Sequence, residues 1–177
     1  MVYEVALIGH SQLPSLRDYD DVVIREFKSR GAHIQHVLNS DRFDSACIRN
    51  KQWDCVILFL GGNDLCSSRD ADQVVNDLLD LANTISASTI LITEIETRTY
   101  YPRFQERYGI TTKDYNILAT RTNQKLKRRA KSQQTFRVIH CPHSYNLDSR
   151  DGIHITPQAE TSLIIKYQAA IRHARAR

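Results

Sequence analysis

Apolar positions along the chain follow two patterns: short solid runs, and longer stretches where they recur every three or four residues. Solid runs mark strands buried on both faces, and the recurrent pattern marks helices with one buried side. "VYEVALI" (2–8) is a solid, β-rich run that stops at Gly9, and "DCVILFLGG" (54–62) is the most apolar run of all. "STILITEI" (88–95) and "FRVIH" (136–140) read as two further strands, and "HIQHVL" (33–38) alternates as another. Between the first two strands, Val22, Val23, Ile24 and Phe27 fall at helical spacing within 17–30, with acids early, bases late and Gly31 placed as a C-terminal cap. A short helix is expected around Asp44 to Arg49. Asp70 to Ile85 carries Val74, Val75, Leu78, Leu79, Leu81 and Ala82 mostly on one side, and Thr112 to Lys131 is helical, with Asn116, Asn123 and a basic face. Thr97 to Gly109, rich in Tyr and Arg, reads as irregular. Pro157 suits the first turn of a final helix running to Ala174.

Strands alternating with helices predict an α/β fold, a three-layer αβα sandwich around a mostly parallel five-stranded sheet of flavodoxin-like type. With 177 residues, 41% of them hydrophobic, the chain supports one domain spanning 1–177. In open sheets of this kind ligands collect outside the carboxyl ends of the strands. The loops after the first, third and fifth strands hold Gly9-His10-Ser11, Gly61-Gly62-Asn63-Asp64 and Asp151-Gly152-Ile153-His154.

Those residue types point to acyl transfer. A serine hydroxyl is a weak nucleophile at neutral pH and needs a base oriented by a third group. His154 is the candidate base, and Asp151, three residues earlier, can accept from one imidazole nitrogen while the other faces Ser11. Asn63 offers an amide donor and Ser11 its own backbone N–H to a developing oxyanion. Taken singly, Ser11 reads as a turn or capping serine, and His154 as an ordinary loop histidine. Their coincidence decides for the site.

In order along the chain, "GHS" (9–11), "GGND" (61–64) and "DGIH" (151–154) resemble the GDS, GxND and DxxH blocks of the SGNH hydrolases, also called GDSL esterases and lipases. The resemblance covers essentially the whole chain and implies the family's small αβα fold. It also implies Ser11 as nucleophile, His154 as general base and then acid, Asp151 as its orienting partner, and Asn63 with the Ser11 N–H as oxyanion donors. The implied substrate is a small ester with a short, acetyl-like acyl group. Two departures stand out. His10 occupies the place where the family usually has an Asp that supports the turn, and the family's second block adds a backbone N–H, usually from Gly. The corresponding stretch is taken as "LNSDRFDS" (38–45), which has no Gly and leaves Ser40 or Asp41 as the donor. Within the family, the "GHS" variant and the Arg-rich edges are similar to esterase domains of the first-open-reading-frame proteins of animal non-LTR retrotransposons. That likeness carries an alternative: a catalytically weak or inactive module of this fold, binding RNA or lipid within a larger retroelement protein.

Charge and composition bear on the remaining classes. Charged residues make up 25% of the chain with a net charge of +4, which describes a mixed surface rather than a dedicated polyanion binder. "KLKRRAK" (125–131) and "RHARAR" (172–177) are the local exceptions that could touch RNA phosphates. Cys47, Cys55, Cys66 and Cys141 show no CxxC pairing and are expected as reduced thiols. "HCPH" (140–143) lacks the paired spacing of a zinc site, no phosphate-cradling glycine motif is present, and neither metal nor cofactor is implied. No leader is visible, and no apolar run approaches the roughly 20 residues of a membrane span, so an intracellular, cytoplasmic setting is expected.

Overall fold

Five parallel strands in the order β2-β1-β3-β4-β5 form the centre of the computed structural model, which describes residues 2–99, 102–141 and 154–176. The strands are β1 (Tyr3–Gly9), β2 (Val22–Lys28), β3 (Trp53–Phe59), β4 (Ala87–Thr93) and β5 (Phe136–Ile139). The helices are α1 (His36–Asn39), α2 (Ser45–Asn50), α3 (Gly62–Ser68), α4 (Ala71–Thr84), α5 (Pro102–Tyr108), α6 (Thr112–Ala130) and α7 (Pro157–Arg175). Because successive side chains on a strand point to opposite faces, β1 and β3 feed two separate cores. Ala6, Ile8, Val56 and Leu58 pack against α1 to α4 and α6, while Val5, Leu7, Cys55 and Ile57 pack against α7. The expected three-layer αβα sandwich is present.

Three helices follow their sequence signals closely. Asp44 caps α2 by accepting from the Cys47 N–H at 3.0 Å, Asp70 caps α4 through the Asp72 and Gln73 N–H groups, and Thr156 caps α7 with Pro157 in its first turn. The irregular reading of 97–109 needs correction, since α5 forms within it.

The larger correction concerns β2. The helix expected over 17–30 is instead a strand, with Tyr3 to Gly9 of β1 paired in parallel with Val22 to Lys28, and the strand expected at 33–38 is a turn leading into α1. Val22, Val23 and Ile24 form a β-branched run that a helix tolerates poorly and a sheet accepts. Arg25, Glu26 and Lys28 mimicked a helical polar face because β2 is an edge strand with one side open. Their polar groups tie down the neighbouring loop: Glu26 Oε1 accepts the Leu16 N–H at 2.9 Å, and Lys28 Nζ donates to Ser15 Oγ at 2.7 Å.

Candidate active site at the carboxyl edge of the sheet

β1 ends at Gly9, and the chain turns at once. The His10 N–H donates to the Phe59 carbonyl at 3.3 Å, and the Leu13 N–H closes the turn on the His10 carbonyl at 3.0 Å. Ser11 is exposed within this turn, and buried Leu13 and Leu16 anchor the chain that follows. His10 is 3% exposed and lies against the Phe59 ring, with centroids 4.7 Å apart. Its Nδ1 accepts the Gln12 N–H at 3.3 Å. A short carboxylate in this place would do the same, accepting from the backbone two residues on, so His10 supplies the turn support expected of an Asp. A neutral imidazole that accepts at Nδ1 carries its proton on Nε2. Burial lowers the proton affinity of His10; Glu96 opposes this, and the charges of Arg98 and His154 add to the lowering.

β3 runs out at Phe59 into Leu60 and then Gly61, whose φ of 105° and close approach to Ile95, 2.8 Å from where a Cβ would sit, both require glycine. The turn aims the first residues of α3 back toward the sheet edge. Asn63, half-buried, donates through Nδ2 to the Ala32 carbonyl at 2.9 Å, and the Ser29 N–H donates to the Gly9 carbonyl at 3.2 Å. The turn Ser29–Ala32 after β2 is thereby held between the end of β1, where the Ser11 turn begins, and Asn63. Residues 38–45, the expected second block, span the end of α1 and the cap of α2, with Ser40 Oγ bonded to the His36 carbonyl at 2.8 Å, while Gly31 lies in the turn that Asn63 bonds through Ala32. Asp64 is structural in its contacts, accepting the Ile34 N–H at 3.1 Å and facing His33 Nδ1 at 3.4 Å, and burial raises its pKa.

His154 is exposed just before α7 and within electrostatic reach of His10. Asp151 lies outside the described residues. The structure brings the Ser11 turn and Asn63 together at one edge of the sheet through the turn after β2, and His154 lies within electrostatic reach of His10 in the Ser11 turn.

Sequence reasoning missed the floor of this edge. Glu96 and Arg98, 1% and 2% exposed, pair at 3.4 Å beneath the loops after β1 and β3. Their segment is strapped to α6 by two asparagines seven residues apart on one helical face. Asn123 exchanges both amide hydrogen bonds with the Ile95 backbone, each at 2.8 Å, and Asn116 does so with Arg98, each at 2.7 Å. The seven-residue spacing of those asparagines was the available signal. Beside the floor, Glu94 bonds Lys127 and His140 and accepts the Cys141 N–H at 3.1 Å, and these residues line a cavity of about 230 Å³ at the ends of β4 and β5. A larger cavity of about 790 Å³ opens along β5 and the end of α6, with Lys131 and Arg137 in its wall, away from the Ser11 turn.

All four cysteines are free thiols, and burial pushes Cys55 up to about 12 and Cys66 to about 11, which keeps them protonated and poor nucleophiles. The two basic runs do not merge. α6 and α7 pack on opposite faces of the sheet, and Lys125, Lys127 and Arg175 are paired with Asp72, Glu94 and Asp21. Among the described residues no helix is long and apolar enough to cross a membrane.

Comparison with solved structures finds this architecture in known esterases. A carbohydrate acetylesterase family member from Sinorhizobium meliloti superposes with a TM-score of 0.72 at 14% identity, covering 98% of this chain and 99% of its own. A carbohydrate esterase family 3 protein from Talaromyces cellulolyticus gives 0.68 at 11% identity, covering 99% of this chain and 100% of its own. A GDSL-like lipase from Bacteroides thetaiotaomicron gives 0.69 at 14% identity, covering 97% of this chain and 88% of its own. At such identities the likeness establishes the fold. No curated protein matches the chain. The GDSL-like lipase/acylhydrolase family model, however, matches residues 6–164, from the first strand through the final loop into the last helix. The chain belongs to the GDSL-like lipase/acylhydrolase family.

Proposed function

We propose that this acylhydrolase-family chain is a serine esterase that removes a small, acetyl-like acyl group through an acyl-serine intermediate. The observation that carries the reading is the meeting of three loops at one edge: exposed Ser11, the Ser29–Ala32 turn, and Asn63 bonded to that turn. Ser11 Oγ attacks the ester carbonyl as His154 takes its proton, with Asp151 orienting the imidazole. The oxyanion is received by the Ser11 N–H, the Gly31 N–H in place of Ser40 or Asp41, and Asn63. One hydrogen of the Asn63 amide is held by Ala32, which fixes the amide plane and leaves the second for the oxyanion. His154 then protonates the leaving alcohol, and water, deprotonated by His154, releases the acid from Ser11. The acetylesterase description of one structural neighbour supports a short acyl group. Hydrolysis of p-nitrophenyl acetate by wild type and Ser11→Ala tests the reading. Activity is expected to fall to the buffer rate in the variant, and equal rates in the two proteins would reject the mechanism.

A further inference from the structure

We infer that Glu96 and Arg98 are positioning residues that lock the Ser11 turn to the Asn63 turn, with Glu96 acting through His10 on one side and Gly62 on the other. The inference rests on the serine esterase reading. Glu96 Oε1 is 4.0 Å from His10 Nε2 and 3.4 Å from Arg98 Nη2. A Cβ on Gly62 would sit 3.1 Å from Glu96 Oε1, 3.2 Å from Arg98 Nη2 and 3.2 Å from the Tyr115 hydroxyl, so the first turn of α3 rests directly on the pair. One buried carboxylate therefore lies 4.0 Å from the residue before Ser11 and occupies the space that a side chain on the residue before Asn63 would need.

The pair is itself immobilised. Arg98 sits over the rings of Tyr115, Phe104 and Tyr108 at 4.7, 5.4 and 5.9 Å, and its backbone is clamped by Asn116. The Tyr115 hydroxyl donates to the Glu96 carbonyl at 3.2 Å. His10 Nε2, Glu96 Oε2, and Arg98 Nε and Nη1 are all buried without a hydrogen-bond partner among the described residues. An apolar floor of similar volume would support the fold at least as well, because a buried ion pair repays its desolvation poorly. What an apolar floor cannot do is choose a ring orientation. With the carboxylate below it, the imidazole is directed to keep Nε2–H toward Glu96 and Nδ1 free to accept from Gln12, which holds the turn carrying Ser11. A carboxylate at position 10 would instead face Glu96 as a like charge, so His10 and Glu96 form a matched set.

The test uses wild type, Glu96→Gln, His10→Asp, His10→Asn and the double variant His10→Asp with Glu96→Gln. It measures p-nitrophenyl acetate hydrolysis, phosphonylation of Ser11 by an organophosphonate, thermal melting and the His10 ring ¹⁵N shifts. A misplacement of the nucleophile on the order of 1 Å costs about 100-fold, so Glu96→Gln is expected to lower kcat and the phosphonylation rate together by about 10- to 100-fold, with KM little changed. His10→Asn is expected to lose kcat to the same degree. His10→Asp is expected to be worse, and adding Glu96→Gln to it is expected to restore part of the loss. In wild type the ¹⁵N shifts are expected to show protonation at Nε2 alone, and in Glu96→Gln a mixture of tautomers. Wild-type kcat in Glu96→Gln, or in His10→Asn should the former not fold, would overturn the inference, as would equal activity of His10→Asp in both backgrounds. The tautomer is independent of turnover: a wild type without Ser11-dependent hydrolysis sinks the esterase reading, whereas an unchanged tautomer in Glu96→Gln sinks the brace.

Discussion

Val5 to Ile8 of β1 and Cys55 to Leu58 of β3 are apolar and fully buried, each packed on both faces. A few residues further along, the same two segments carry buried His10 and half-buried Asn63, with the Glu96–Arg98 pair of the segment after β4 beneath them. The strand middles obey the local rules together: a solid hydrophobic pattern, half of it β-branched, and paired backbones. The carboxyl ends break those rules, leaving polar atoms of His10, Glu96 and Arg98 buried without hydrogen-bond partners among the described residues. Stability resides in the middles, where many similar residues would serve, and the proposed chemistry is assigned to the ends, where orientation matters more than burial.

Substitution can separate the two regions. Ile57→Ala, in the middle of β3, is expected to cost about 2–5 kcal/mol of stability through lost burial and a residual cavity, while the fraction still folded keeps wild-type kcat. Urea melts paired with hydrolysis rates check both halves, and a kcat loss at full folding would erase the distinction. Asn63→Ala is expected to do the reverse: it lowers kcat by about 10²–10³ through loss of the proposed oxyanion donor. Its cost in stability is only about 1 kcal/mol, from the missing bond to Ala32. The smallest effect concerns pH. Burial holds His10 below its ordinary value of 6.5, so the unfolded chain takes up this proton more readily than the folded one. The stability this contributes is complete above pH 6.5 and drains as the pH falls below it, by at most about 1.4 kcal/mol per pH unit. Melting curves between pH 7.5 and 5 should show this slope reduced in His10→Asn. An identical slope in both proteins would place the acid sensitivity elsewhere.

Most of the sheet was legible because solid apolar runs need no context. β1, β3, β4 and β5 fall where those runs occur, and α4, α6 and α7 fall where the three-to-four periodicity and the caps lie. β2 was misread because charged residues on an edge strand imitate the polar side of a helix, and edge position is a property of the whole sheet. Because β2 ends at Lys28, Gly31 lies in the turn after a strand rather than at the end of a helix. The "GHS", "GGND" and "DGIH" blocks were visible as ordered residue types. Glu96 and Arg98 were not, because a glutamate and an arginine after a strand look like surface residues until α6 covers them.

By itself the sequence determined the α/β class, the family, and the three loops in which to look, since hydrophobic period and motif order are properties of neighbouring residues along the chain. Only the tertiary structure decided that His10 is buried and accepts the Gln12 N–H in the Ser11 turn, that the turn after β2 is bonded to Asn63, and that a buried ion pair lies beneath both loops. Those outcomes depend on contacts between segments tens of residues apart, where burial and distance, rather than residue type, set what each group can do.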